Sequence, residues 1–164
     1  ILSDNGFGNK LGLNIEDLEF GKMQMSNKKL VDLEGKLGFD FSFSYPASIR
    51  NDTIERTIKS KLSKELQVEC IHNYDPVYFD KNGFLCQTLK ATYEKATGMD
   101  GTPVTTTGGT YAKIMPNIVP FGPSFPGQKG IGHNPNEWMD RSDLILNAKI
   151  YALSIVRLAN GEND

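Results

Sequence analysis

The chain has 164 residues, 38% hydrophobic and 23% charged, which suits one ordinary globular domain or two small lobes. Its 18 basic and 20 acidic residues leave a formal net charge of −2, so the composition offers no general attraction to nucleic acid or to an anionic membrane. No apolar run approaches the roughly 20 residues that cross a bilayer, no basic-then-apolar leader opens the chain, and Cys70 and Cys86 form neither a metal-binding pair nor a disulfide framework.

A cytoplasmic setting is the expectation that follows. The opening ILSDNG has no methionine and reads as loop, so the chain looks like a piece of something longer. The first half then reads as strands. Leu11, Leu13 and Ile15 alternate with polar or small neighbours, and Met23 and Met25 repeat the pattern. Ser26-Asn27-Lys28 is the expected turn, with Val31 and Leu33 on one face beyond it. In KLGFDFSFSY (36–45), Leu37, Phe39, Phe41, Phe43 and Tyr45 fall on one side of a strand and Asp40, Ser42 and Ser44 on the other. After Pro46 the period changes: Ile54, Ile58, Leu62 and Leu66 recur every four residues, one apolar stripe of a helix, and Asp52 and Glu55 have capping-box spacing. VECIHNY (68–74) is expected to return to the sheet, with His72 packed and hydrogen-bonded within it.

The character shifts from Asn82 onward. FLCQTLKATYEKATG carries Leu85, Leu89 and Tyr93 at helical spacing, with Gly98 placed to end the helix. PVTTT (103–107) is β-branched and suits a strand buried on both faces. Gly108-Gly109-Thr110 forms a turn before a short helical stretch, and IVPF (118–121) is a short strand candidate within a proline- and glycine-rich segment. SDLILNAKIYALSIVRLAN is the last helix, with Leu144, Ala148, Tyr151, Ile155 and Leu158 on one side, Ser142 as N-cap and Gly161 as stop. This order suits the edge of an α/β domain.

Two places could carry chemistry. His133, in GHNPNEW (132–138), lies in a loop where Gly130 and Gly132 let a backbone approach a ligand. A neutral imidazole is the commonest metal ligand, but one ligand makes no site, and a lone loop histidine is most often a surface or hydrogen-bonding residue. Gly108-Gly109-Thr110 could present backbone N–H groups at a helix start to a carboxylate or an oxyanion, or be a plain tight turn. No Ser/His/Asp or Cys/His constellation can be assembled, and no catalytic residue is assigned to this chain.

Three segments in order, GGTYAK (108–113), FGPSFPGQ (121–128) and GHNPNEW, followed by the C-terminal helix, resemble the end of M20-family metallopeptidases, especially the Xaa-His or β-Ala-Xaa dipeptidases of the PepV type. The resemblance spans about residues 30–160. It implies that His133, in the H-x-x-N-E segment, is the last ligand of a two-zinc centre, and that Gly109 and Thr110 contact substrate. It implies a fold in which an α+β lid-like lobe, an antiparallel sheet with a packed helix, joins the C-terminal part of an α/β zinc-peptidase catalytic domain. Residues 1–81 would be the second part of the lid and residues 82–164 the end of the catalytic domain. In the intact enzyme the two zinc ions would polarise the scissile carbonyl and activate a bridging water, with an upstream glutamate as base.

The family's H-x-D motif, bridging aspartate and Glu-Glu pair lie upstream of the lid and have no match here. The resemblance therefore implies a fragment that retains no zinc and is inactive alone. Ser44 stands where the family commonly has the arginine of an R-Y-P segment, and Lys113 where GGTYAR has arginine; lysine lacks the bidentate fork that holds a carboxylate. Both departures touch recognition of the dipeptide C-terminus. Two rival readings follow: a non-catalytic homologue, and a stand-alone α+β binding or dimerisation module. Neither nucleic acid nor membrane is an expected partner. Self-association of the fragment through residues 83–164 is, because part of its sheet would lack partners.

Overall fold

The computed structural model describes residues 6–106, 108–122, 124–128 and 131–162, and for Asn27 the backbone alone. In chain order its elements are two short strands, β1 (Glu16–Asp17) and β2 (Gly21–Lys22), a long hairpin, β3 (Gln24–Leu33) and β4 (Lys36–Ser44), and three helices, α1 (Asn51–Lys61), α2 (Phe84–Thr97) and α3 (Arg141–Asn160). Single 3-10 turns occupy Asn9–Leu11 and Tyr111–Lys113. The chain forms two compact units, Ile1–Tyr78 with Thr105–Pro116, and Phe79–Val104 with Asn117–Asp164.

The first unit is organised by β4. Period-two spacing puts Phe39, Phe41 and Phe43 on one face, with neighbouring ring centroids 5.4 and 5.2 Å apart. The strand β3 pairs with it antiparallel, from Gln24↔Ser44 to Leu33↔Lys36, and the register shifts between Ser26 and Lys29. The hairpin turn is Glu34-Gly35, both left-handed at φ 53° and 82°, the pattern of a type I′ turn whose twist matches that of paired strands. Asp32 Oδ1 accepts the Gly35 N–H at 2.7 Å and closes it. Ser26-Asn27-Lys28 is therefore no turn. Those polar residues occupy the irregular stretch of β3, where a bulge absorbs them.

Leu11, Leu13, Met23 and Met25 are buried with Ile54 and Ile58 of α1, and Phe41, Phe43, Tyr45, Leu62 and Val68 pack around them. Each such burial contributes about 1.5–3 kcal/mol. This makes α1 the helix packed on the hairpin. The alternation at 11–15 identified the inward residues but not their conformation. Gly8 and Gly12, at φ 71° and 75°, wrap a 3-10 turn around Leu11 instead of a strand. The N-cap of α1 is Arg50 without a side-chain cap, because Asp52 is already inside the helix and pairs with Arg50 and Arg56 at 3.2 and 3.5 Å. No capping box forms. The apolar stripe ends at Leu62, and Leu66 is exposed.

Three further expected strands are absent. Residues 68–74 and 118–121 have no regular structure, nor do 103–106, with Thr107 outside the described residues. The first of these is held by side chains: the Tyr45 hydroxyl donates to Asn73 Oδ1 at 2.7 Å, and Cys70 Sγ donates to the His72 carbonyl at 3.5 Å. His72 itself is exposed, not packed in a sheet. Val104, expected to be buried on both faces, is 89% exposed. β-branched residues suit a pleated surface, but a ladder needs a second backbone, and no described residue supplies one to these segments. The helix-strand-loop-strand-helix order expected after Asn82 reduces, among the described residues, to two helices and the irregular chain between them.

Those helices pack together. Gly98 and Gly161, at φ 70° and 71°, close them with N–H groups returned to Glu94 and Arg157 carbonyls. The α2 side of the contact is Cys86, Thr88, Leu89 and Thr92; the α3 side is Asn147, Ile150, Ser154 and Arg157. Arg157 Nη1 donates to Thr92 Oγ1 at 3.4 Å. Leu144 and Ile155, expected to face inward, are exposed, as are Ile145, Leu153 and Val156. Such a helix is apolar around most of its circumference, so its periodicity selects no single face. Its N-cap is Asp140 rather than Ser142.

Candidate functional site

In residues 121–122 and 124–128, side chains tie the chain to α2 and α3. The Tyr151 hydroxyl donates to the Phe121 carbonyl at 2.8 Å, and the two rings meet edge to face at 5.8 Å. Gly122 must be glycine: its φ is 70°, and a Cβ there would collide with the Tyr151 hydroxyl. Phe125 is buried against Tyr93 of α2, and Gln128 accepts the Phe125 N–H at 3.1 Å while donating to Asp143 of α3. The described residues of this stretch are irregular in backbone yet fixed to both helices of their unit.

Residues 131–137 then form two successive turns. The Asn134 N–H returns to the Ile131 carbonyl at 3.3 Å, and the Glu137 N–H to the Asn134 carbonyl at 3.2 Å. His133 and Asn136 occupy the third position of each, both at φ 62°. Pro135 before Asn136 is the signature of a type II turn, with proline fixing the second position and asparagine tolerating the left-handed third. In the first turn the sequence is Gly132-His133, so a histidine sits where glycine is preferred, at a cost of about 1–2 kcal/mol. The His133 N–H donates to Glu137 Oε2 at 3.1 Å, and Asn134 Nδ2 donates to the Gly132 carbonyl at 3.1 Å. The residue itself is exposed. Gly130 lies outside the described residues.

The other candidates belong to the first unit, so the structure does not gather them with His133 in one compact body. Thr110 caps the turn Tyr111–Lys113, its Oγ1 accepting the Ala112 N–H at 3.2 Å. That turn is three residues long and carries no appreciable helix dipole, which removes the helix-start part of the oxyanion expectation. The Gly108 N–H is taken by Thr106 Oγ1 at 3.2 Å, while a Cβ on Gly109 would meet nothing within 4 Å. Lys113 is half-buried. Ser44 is the last residue of β4, half-buried and paired with Gln24. Glu137 is the residue that the structure adds to the site; in the sequence its one signal is the four-residue spacing from His133.

Among the described residues no group of three or more His, Cys, Asp and Glu side chains could hold a metal ion. Catalytic zinc takes three protein ligands or more. An exposed imidazole on a defined turn suits one place in a ligand set, and the rest of the set must come from elsewhere.

The family model for peptidase family M20/M25/M40 matches residues 6–157. The chain belongs to that family. Among its relatives are the "Beta-Ala-Xaa dipeptidase" of Lactobacillus delbrueckii subsp. lactis, 33% identical over 158 residues, which are 95% of this chain and 33% of that protein, and the "Putative dipeptidase YtjP" of Bacillus subtilis (strain 168), 29% identical over 153 residues, 93% of this chain and 33% of that one. This M20 chain thus spans about a third of the length of the curated relatives it matches. Peptidases of the M20 family are generally metal-dependent. No helix among the described residues is long and apolar enough to cross a membrane.

Proposed function

We propose that this M20 chain is the C-terminal part of a cytoplasmic, zinc-dependent dipeptidase that is inactive without the rest of its active site. The carrying observation is His133, an exposed histidine held left-handed in a tandem turn whose ends are tied to Glu137 and Asn134. Strained non-glycine backbone of this kind persists where its surroundings over-determine it, and such positions cluster at functional sites. Residues 1–81 would be the second part of a lid and residues 82–164 the end of the catalytic domain. The dipeptidase names of the relatives support a dipeptide substrate.

His133 would serve as one neutral imidazole donor to a two-zinc centre, whose ions supply carbonyl polarisation and a metal-activated water when bound. Gly109 and Thr110 would lie against substrate, and the open space over Gly109 supports close approach there. Ser44 and Lys113 would leave the substrate carboxylate without a bidentate arginine. This departure also favours a second reading, a non-catalytic homologue. The test uses the longer polypeptide that completes the centre. His133→Ala should lower its bound zinc, read by elemental analysis, and abolish most dipeptide hydrolysis. Unchanged zinc content and turnover would overturn the assignment, and bound zinc without any turnover in the unsubstituted protein would favour the non-catalytic homologue.

A further inference from the structure

We propose that Glu137 is the positioning residue for His133, locking the one peptide plane whose rotation would re-aim the imidazole. The inference rests on the reading of His133 as a metal donor and adds the device that orients it. In the turn from Ile131 to Asn134, the central peptide joins Gly132 to His133. Type I and type II turns differ by a flip of this central peptide, and the flip carries the third residue between negative and positive φ. Glycine at the second position tolerates both arrangements, and histidine at the third prefers the negative one. Left to local preference, the turn would bring His133 to negative φ and turn its Cα–Cβ bond in a new direction.

Both ends of that peptide are held. Its N–H, on His133, donates to Glu137 Oε2 at 3.1 Å, and its carbonyl, on Gly132, accepts from Asn134 Nδ2 at 3.1 Å. A flip would break both bonds at once and turn the carbonyl oxygen toward a carboxylate. Glu137 is itself set by the second turn, through its own N–H to the Asn134 carbonyl at 3.2 Å and the left-handed Asn136 after Pro135. The second turn thus exists to bring a carboxylate back onto the first. A charged acceptor makes a stronger bond to an N–H than a neutral one, which suits a residue that must oppose an intrinsic backbone preference.

The test has two arms. In this chain, isotope-labelled Glu137→Ala and Glu137→Gln variants are compared by amide exchange and by the amide-to-Hα coupling of His133, which reports its φ. Alanine should accelerate exchange at His133 by about tenfold and shift the coupling; glutamine, which keeps an acceptor oxygen, should restore most of both, with unchanged thermal unfolding of the helices. In the longer polypeptide, titration with Co2+ followed by its visible absorption spectrum should show Glu137→Ala weakening metal affinity by about 10- to 100-fold, the range for residues that orient a ligand, and glutamine recovering most of it. An alanine variant with unchanged His133 exchange overturns the lock, and one that frees the amide yet binds Co2+ as before overturns its role in orienting the ligand. If His133→Ala itself leaves Co2+ affinity unchanged, the metal-donor reading falls, while the exchange arm still decides whether Glu137 holds the turn.

Discussion

Glu34, Asn117, His133 and Asn136 are the non-glycine residues found left-handed among the described residues, and three of them complete a turn described above. Backbone demand at single residues is therefore a large part of how this chain is shaped. Asp17 shows the same economy with a side chain. It accepts a hydrogen bond from the Ser48 hydroxyl and the N–H groups of Phe20 and Glu19, the last two at 2.9 and 2.8 Å, and these hold its carboxyl below the ordinary value of 3.8. A carboxyl more acidic in the folded than in the unfolded chain adds stability above the unfolded value. That stability disappears as pH falls through the lower folded value. Asp17→Asn should therefore lower stability at neutral pH, leave the lowest pH nearly unaffected, and so flatten the acid side of the stability curve. Thermal midpoints between about pH 2 and pH 6 would show it; an unchanged slope below 3.8 would disprove the role of these hydrogen bonds.

Between α2 and α3 the contact is unusually polar for a two-helix core, and one atom in it is unsatisfied. Ser154 Oγ is buried without a hydrogen-bond partner. A buried orphan hydroxyl costs about 1–3 kcal/mol, and alanine is also the better helix former. Ser154→Ala should stabilise the unit by about 1 kcal/mol, visible as a raised urea midpoint with an unchanged slope; a lowered midpoint would mean that the hydroxyl is used. The helices and β4 were legible in the sequence because each carries its own periodicity. The segments 68–74, 103–106 and 118–121 were not, because a strand is a property of two backbones and only one is visible in a propensity. The face of α3 was misjudged for a related reason, since a helix apolar around most of its circumference does not announce which side will be covered. At the site, His133 could be singled out from the resemblance of GHNPNEW. The tie from Glu137 had no such mark: a carboxylate in a loop belongs to no repeating pattern, and its bond appears only when two turns are folded together.

The whole molecule leaves much apolar surface uncovered. Leu144, Ile145, Leu153, Ile155 and Val156 of α3 are exposed, as is Val104. Surfaces of this kind favour association, so the isolated chain should self-associate through residues 83–164. Leu144→Glu with Ile155→Glu should shift light scattering toward the monomer without altering the helical circular dichroism. A chain that is already monomeric at high concentration would refute the expectation. The order in which the polypeptide visits its two units has a further consequence. It enters the first, leaves after Tyr78, returns for Thr105–Pro116 and leaves again. Neither unit is a continuous stretch of gene, so no single truncation point separates them. A ribosome must also release residues well past the first helix-rich segment before the first unit has all its parts. Cutting the chain at any one linker would divide at least one of the two units between the two pieces.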